Sequence, residues 1–567
     1  MTEDSLNEFI SLLWPSKEVF RNSEQVISDN CDMISNLELQ ELANALSPDT
    51  HHTISVKDLL TNLSEDTNVI KYRLDVIEDL LNNPQIVSCF KNILPLMDEL
   101  LIISTHRSFH EIILQETASR VGELDTYISC ITQLKKVFEE TNKNLKSTGL
   151  NKLYEKIKNV SNDVVFKSME KELPELQKGL RKISSVTLGI NFNAKLHPFE
   201  FTIVSINEEP YKENTLMNRL FGKKSTSKQT GISPFVEIKE IETIKNNRIA
   251  SIPNPFQLAI FKELDNITQS ATKPIAKSIA KYVKVNSRLL IDLRTEIIFL
   301  LGLEKLIYKM KSMELNMCKP EVLSKEKRQY KINEMYNINL AINMSYVETD
   351  KKLNDKIVCN NFDFDKNSRI FILTGPNQGG KTTYTQAIGL VQILFQLGSY
   401  VPCKKAAISP VDKIFTHFPV EEKPESQLGR LGEESKRLKE IFNEATQYSL
   451  ILLNESLQST SPYEGLYISK EVIMGLKLLG ARTIFATHFH ELALNLEKLN
   501  SSIPEGSKVV SLISSVIENK ELKNSEQAKR TYKIVQGIPQ GKSYAKDIAS
   551  KYGLSFENIV KTVKDKN

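Results

Sequence analysis

The sequence predicts a multidomain chain with a mostly α-helical first half, a small β insertion, and an α/β domain towards its C-terminal end. Three observations predict this. Only 21 of the 567 residues are glycine, and turn clusters are few in the first half, so long stretches keep a helical apolar spacing. Two short runs, Val186 to Phe192 and Phe199 to Val204, break that spacing with β-branched and aromatic residues. From about Arg369 onward, apolar strand-like runs end in polar residues, the mark of strands whose carboxyl ends carry chemistry.

The elements follow in order. Residues 1–65 hold short amphipathic segments broken at Pro15, Pro48 and the His51-His52 turn. From Val69 the spacing becomes regular, and Tyr72-Arg73-Leu74-Asp75-Val76-Ile77-Glu78-Asp79-Leu80-Leu81 predicts an amphipathic helix. A charged helical run is expected from Gln133 to Lys182, interrupted at Pro174. After the two strands comes a basic loop, Leu220-Phe221-Gly222-Lys223-Lys224-Ser225-Thr226-Ser227-Lys228. It reads either as a contact for DNA phosphates or as a solvated Lys-rich loop. Helix resumes at Asn254-Pro255-Phe256 and is expected to run, kinked at Pro274, to about Met313.

Arg369-Ile370-Phe371-Ile372-Leu373 reads as a buried strand, and Tyr384 to Leu397 as a helix. Between them lies Thr374-Gly375-Pro376-Asn377-Gln378-Gly379-Gly380-Lys381-Thr382-Thr383, a P-loop spacing. Glycines let backbone N–H groups close around phosphates where side chains would clash. Lys381 supplies a point charge for the β- and γ-phosphates, the Thr382 hydroxyl a ligand for Mg²⁺, and the helix its positive end. A chance glycine turn is the bland alternative.

Ser449-Leu450-Ile451-Leu452-Leu453-Asn454-Glu455 is an apolar strand ending in two polar residues, the Walker B arrangement. Its first polar residue holds Mg²⁺ and its second polarises the attacking water. The first is normally Asp; Asn454 keeps an oxygen ligand but no charge, so weaker metal affinity and slower turnover are expected. Thr382, Asn454 and Glu455 are the metal-side candidates. Ala481-Arg482-Thr483-Ile484-Phe485-Ala486-Thr487-His488 is a further strand, and His488 at its carboxyl end is placed to sense the γ-phosphate or water. His490 and Glu491 have no Cys or His partners at metal spacing, which excludes a zinc-type site.

These blocks resemble the ATPase domain of the MutS family of DNA mismatch-repair proteins. Thr374 to Tyr384 looks like its TGPNMxGKSTY, and Ala486-Thr487-His488-Phe489-His490-Glu491-Leu492 like its ATHxHEL. Lys356 to Phe362, Tyr400-Val401-Pro402-Cys403 with Asp412 to Thr416, and Tyr532 to Gly537 with Ser543-Tyr544-Ala545 and Ile548-Ala549 are similar to further blocks in the same order. Arg73 to Glu78 is similar to the family's core helix. The resemblance implies a core/lever region with a small β clamp-like insertion, followed by an α/β P-loop (ABC-like) ATPase domain. The boundaries would be 1–65 (N-terminal helical segment), 66–320 (core/lever, with the insertion near 186–245) and 321–567 (ATPase).

It further implies ATP at Gly375, Pro376, Asn377, Gln378, Gly379, Gly380, Lys381, Thr382 and Thr383. Mg²⁺ would sit at Thr382 and Asn454, with Lys381, Glu455 and His488 as the catalytic residues. DNA, a second copy of the chain and a MutL-like protein are the implied partners, in the cytoplasm and, in a bacterium, at the nucleoid. Departures are Gln378 for Met, Thr382 for Ser, and Gly429-Arg430-Leu431-Gly432-Glu433-Glu434-Ser435 where the family has a Ser-Thr signature. In relatives this segment reaches the other subunit's γ-phosphate; here Arg430 and the Gly432 N–H are the candidates, and a polar helix start is the alternative. The family's mismatch wedge is a Phe-x-Glu in a separate N-terminal domain, which is expected to be absent. Phe109-His110-Glu111 has those letters but falls in a helical run.

Charge is nearly balanced at +4, so any nucleic-acid contact needs a local patch. The apolar fraction of 40% is that of a globular protein. There is no apolar run of membrane-spanning length and no signal-peptide layout. Six cysteines without paired spacing suit reduced thiols. Besides an ATP-gated dimeric clamp on duplex, mismatched or branched DNA, the alternatives are a junction-binding relative that reads no mismatches and an ABC-type regulatory ATPase directed at protein.

Overall fold

The computed structural model describes residues 9–24, 31–47, 53–106, 113–180, 185–196, 198–207, 209, 255–282, 287–347, 352–419, 429–504, 506–517, 529–539, 553–554 and 556–564. The basic loop at 220–228, Phe109-His110-Glu111 and the Ser543 to Ala549 block lie outside these. The chain divides into two compact units, one of residues 1–90, 141–153 and 295–567, the other of 91–140 and 154–294.

In chain order the helical part comprises α1 (Lys17–Glu24), α2 (Cys31–Asn36), α3 (Leu39–Leu46), α4 (Thr53–Thr61), α5 (Thr67–Asn82), α6 (Pro84–His106), α7 (Ile113–Thr141), α8 (Thr148–Asn162) and α9 (Val164–Leu180). The hairpin β1 (Ser185–Phe192) and β2 (Pro198–Asn207) follows, then α10 (Pro255–Ala280) and α11 (Arg288–Ser312). Two expectations need correction. Pro174 lies inside α9 without ending it, because Phe166, Met169 and Leu173 anchor that helix by burial. The breaks fall instead at 142–147 and at Asp163. At the first, the Asp79 carboxylate accepts the N–H groups of Lys146 (3.0 Å) and Ser147 (2.7 Å), which starts a new helix. The helix expected from 254 to 313 is two helices. The second starts from Ser287, whose carbonyl accepts the Leu290 N–H and whose hydroxyl donates to buried Glu123. In its own unit the hairpin packs Val186, Ile203 and Ile206 onto Leu114, Leu180 and Leu264.

The remainder of the first unit carries the strands. They are β3 (Glu321–Val322), β4 (Tyr330–Met335), β5 (Asn360–Phe364), β6 (Ser368–Thr374), β7 (Lys405–Ile408), β8 (Ile414–His417), β9 (Leu450–Asn454), β10 (Arg482–Ala486), β11 (Lys508–Ile517) and β12 (Lys529–Gln536). Helices α12 (Ile338–Val347), α13 (Lys381–Gln396), α14 (Gly429–Glu444), α15 (Pro462–Leu479), α16 (His490–Leu494), α17 (Leu496–Ser502) and α18 (Phe556–Lys564) lie between or after them. The main sheet has the order β12-β11-β6-β10-β9-β8, parallel except for β12 at its edge. A second sheet has the order β3-β7-β4-β5. β9 and β10 are buried throughout and β6 is buried except at Arg369, as expected of parallel strands covered on both faces. Arg482 is fully buried at the start of β10, where its guanidinium donates to the carbonyls of Ser409, Pro410 and Tyr448. Among the described residues, no helix is long and apolar enough to cross a membrane.

Helix α5 ties the N-terminal segment to the end of α13. Arg73 is buried, donates to the Leu13 carbonyl (2.9 Å) and the Gln396 carbonyl (3.5 Å), and stacks 4.3 Å above the Trp14 ring. Tyr72 donates to the Ser11 carbonyl, and Glu296 accepts from the Ser11 hydroxyl (2.7 Å) and the Leu12 N–H (2.6 Å).

Burial pushes the Glu296 carboxyl up to about 7, against the hydrogen bonds from Ser11 and Leu12 and the charge of Arg73. Its folded pKa lies above the unfolded value, so its contribution is complete at acid pH and is lost as pH rises through about 7. The melting temperature should therefore fall between about pH 5 and pH 8, with up to about 3 kcal/mol at stake. Glu296→Gln should flatten that fall in a thermal-unfolding series; an unchanged slope would refute the assignment.

Candidate functional site

Three strand ends build the site. The ladder register sets Leu373 of β6, Ala486 of β10 and Asn454 of β9 side by side. Beyond it, the Thr487 N–H donates to the Leu373 carbonyl (2.9 Å) and the Glu455 N–H to the Ala486 carbonyl (2.8 Å). Gly375, Glu455 and His488 therefore leave the sheet at one carboxyl edge, where open α/β sheets place their ligands.

The loop from Gly375 to Gly380 folds over that edge into α13. Its path needs positive φ at Gly375 (149°) and Gly380 (86°). A Cβ at Gly375 would also lie 2.7 Å from that of Ser514. Ser514 of β11 pins the loop by donating to the Gly379 carbonyl (2.6 Å), and the Asn337 amide donates to the Thr383 carbonyl (3.1 Å). Lys381 Nζ donates to the Gly375 and Pro376 carbonyls, each at 3.1 Å, and stands 3.9 Å from Glu455 Oε1. Burial lowers its pKa, and Glu455 opposes that. The Thr382 hydroxyl donates to Asn454 Oδ1 (3.4 Å).

Glu455 Oε1 lies 2.8 Å from His488 Nε2, and this hydrogen bond holds the carboxyl below its usual range. Glu455 (φ 51°) and Leu457 (φ 65°) are both left-handed, a conformation that costs non-glycine residues energy. Neighbours hold them there. The Leu457 N–H donates to Glu434 Oε2 of α14 (2.8 Å), and the Ser456 hydroxyl lies 2.7 Å from Nδ1 of buried His417 at the end of β8. A cavity of about 400 Å³ opens beside Lys381 and Glu455, with Tyr336, Lys356, Tyr384 and Tyr532 on its walls. That volume suits a small-molecule ligand.

The structure thus brings Lys381, Thr382, Asn454, Glu455 and His488 together, with Gly375, Pro376, Asn377, Gln378, Gly379 and Gly380 forming the loop beside them and Thr383 in the first turn of α13. Arg430 and Gly432 stand in the first turn of α14, where Arg430 faces Glu434 at 3.6 Å. Asn337, Ser514 and the pair His417 and Ser456 carry no sequence signal, and Tyr532 shows only as the first residue of the Tyr532 to Gly537 block. They reach the site only through non-local placement. Among the described residues, no group of three or more His, Cys, Asp or Glu side chains could hold a metal. A hard cation would rely on the oxygens of Thr382 and Asn454, a donor set that fits one.

A glycine-rich loop and two polar strand ends on one edge of a largely parallel sheet place this unit in the class of α/β proteins that act at that edge. Family models give the lineage: MutS domain V matches residues 371–567, and the MutS2 N-terminal domain matches residues 65–313. The chain belongs to the MutS family. It is 30% identical over 415 residues to a DNA mismatch repair protein MutS of Prochlorococcus marinus (strain MIT 9312), covering 73% of this chain and 40% of that protein. A protein of the same name from Chlorobium phaeobacteroides is 36% identical over 208 residues, covering 36% of this chain and 22% of the relative. One from Clostridium botulinum (strain Hall) is 40% identical over 157 residues, covering 27% and 16%. The chain therefore spans well under two thirds of the length of these relatives.

Burial, reinforced by Arg437, lowers the His417 ring to about 4. Its folded pKa lies below the unfolded one, so the fold favours the neutral ring and loses stability as pH falls from about 6.5 towards 4. An NMR titration should place its midpoint near 4, and His417→Asn should melt with less acid sensitivity than the parent. A midpoint near the ordinary value would show that the ring is not held this way.

Proposed function

We propose that the chain is a Mg²⁺-dependent ATPase of the MutS type whose nucleotide state gates a dimeric clamp on DNA. The observation that carries this is the convergence of Lys381, Thr382 and Glu455 on one cavity wall beside the glycine-rich loop, with Asn454 hydrogen-bonded to Thr382 and His488 to Glu455 behind them. Loop N–H groups and Lys381 bind the phosphates, and the end of α13 adds its dipole. Thr382 and Asn454 would hold Mg²⁺, which neutralises charge developing on the phosphates. Glu455 orients the water and takes up its proton, while His488 fixes that carboxylate through the 2.8 Å contact. The Arg430 and Gly432 turn is assigned to a second copy's γ-phosphate.

Residues 66–320 would form the core/lever region and 321–567 the ATPase domain, after an N-terminal helical segment of residues 1–65. The proposed surroundings are the cytoplasm, DNA and a MutL-like partner. The relatives' names, DNA mismatch repair protein, support DNA as the substrate. Asn454 brings no charge to the metal, so slow turnover is part of the reading.

Fluorescence anisotropy against matched duplex, mismatched duplex and four-way junction, with and without ATP, tests the clamp. Nucleotide-dependent binding to any of the three is expected; no binding at low salt would redirect the reading to a protein-directed ATPase. Lys381→Ala should lower ATP hydrolysis by on the order of 10², and parent-like hydrolysis would end the ATPase assignment. Asn454→Asp should raise the rate by about tenfold if the missing charge limits turnover; an unchanged rate would mean that another step does.

A further inference from the structure

Cys318 and Cys403 are 85 positions apart in sequence, yet their sulfurs stand 3.4 Å from each other. The spacing pattern of the six cysteines gave no hint of this pair. The backbone forces the meeting. Cys318 and Val401 form an antiparallel bridge, exchanging N–H···O bonds of 3.1 and 3.0 Å, and a tight turn, in which the Cys403 N–H donates to the Val401 carbonyl (2.8 Å), keeps Cys403 beside Cys318. Both are thiols in this structure, Cys403 buried and Cys318 partly accessible.

We propose that Cys318 and Cys403 form a dithiol modification site that a peroxide converts to a disulfide. The accessible Cys318 is the attacking sulfur. Its thiolate displaces hydroxide from the peroxide, forming an S–O bond and breaking O–O. The Cys403 sulfur then attacks the resulting sulfenic acid, forming S–S, breaking S–O and releasing water. In balance, two thiols give up two electrons and two protons, and the peroxide becomes two waters. A dithiol reductant reverses the change. The hydrogen bond from the Cys403 thiol holds Cys318 below the ordinary thiol range, in keeping with that role. Burial raises Cys89 and Cys359, which makes them poorer competitors.

The consequence reaches the cavity. A disulfide needs sulfurs at about 2 Å, so both segments must close on each other. Met317 and Pro402, the chain neighbours of the two cysteines, both hold Tyr336. Its hydroxyl donates to Met317 Sδ (3.3 Å), and the Pro402 carbonyl accepts its N–H (3.2 Å). Tyr336 lines the cavity beside Lys381. Oxidation therefore shifts a cavity wall, and its effect on nucleotide affinity rests on the ATPase reading, whereas disulfide formation does not.

The experiment titrates the full chain with hydrogen peroxide and maps thiols by mass spectrometry. Expected is a Cys318–Cys403 linked peptide with loss of about two thiols per chain, before Cys89 or Cys359 react. Amide exchange at Tyr336 should change roughly tenfold in the parent, and in neither Cys318→Ser nor Cys403→Ser. Oxidation of Cys318 without linkage to Cys403, or no reaction at either, overturns the site. An unchanged Tyr336 amide in linked protein overturns the coupling. ATP affinity, measured alongside on reduced and on oxidised protein, tests the nucleotide reading separately. If ATP fails to bind in both redox states while the link forms, that reading fails and the dithiol site stands.

Discussion

The site depends on how β9 is allowed to end. Two backbone bonds, Thr487 N–H to the Leu373 carbonyl and Glu455 N–H to the Ala486 carbonyl, extend the ladder one step past the regular strands. They make three chain segments leave the sheet at the same level. Glu455 must then turn left-handed, and Leu457 after it, at a cost of about 1–3 kcal/mol each. A hydrogen bond to a charged acceptor contributes about 1.5–3 kcal/mol. The Leu457 N–H to Glu434 bond is one such, and it offsets much of the strain at Leu457. The Ser456 contact with buried His417 adds a second anchor between the two strained residues. The carboxylate of Glu455 is thus aimed by backbone held from two neighbouring elements, with His488 setting its last torsion.

Glu434 gives this arrangement a second meaning. It belongs to α14, one turn after Arg430, and its two oxygens are divided: Oε2 accepts the Leu457 N–H while Oε1 faces Arg430. Movement of the first turn of α14 is therefore felt at the loop that carries Glu455. In the proposed dimer, a second copy's phosphate would draw Arg430 away from Glu434, leaving the carboxylate to the Leu457 N–H without its cation. A local contact of this kind would link partner engagement to the aim of Glu455 without any long path through the core.

Much of this was legible in the sequence because phosphate chemistry constrains neighbours in the chain. Gly375, Gly380, Lys381 and Thr382 announce the loop by spacing alone. The apolar runs before Asn454-Glu455 and before Thr487-His488 announce strands with functional ends. Ser514, Asn337 and His417 could not be read this way. Ser514 and His417 reach the site through sheet order, with β11 beside β6 and β8 beside β9, and Asn337 reaches it from the residue before α12; all three placements are non-local. In the helical half, proline is a poor guide to where helices end. Pro174 sits inside a helix anchored by three buried apolar residues, while real breaks came where Asp79 and Ser287 offered partners to helix ends. The meeting of Cys318 with Cys403 had the same invisibility, since a single isolated bridge joins segments far apart in the chain.

In the proposed ATPase the loop would also report its state, and α13 is the element that would carry that report. Lys381 opens it, and almost its whole surface is buried, down to Gln392 and Gln396. Gln396 accepts from Gln392 and donates to the Val411 and Ser64 carbonyls. The Gln396 carbonyl receives Arg73 of α5, whose guanidinium also grips the Leu13 carbonyl and the Trp14 ring. A close-packed helix with hydrogen-bonded polar groups at its far end moves as a body, because each small shift would otherwise strand a buried donor. In the proposed ATPase, a displacement of Lys381 by a nucleotide would be passed along α13 to Arg73. The residue that resembles the family's core-helix arginine is, by its contacts, the joint between α13 and the helical part of this unit.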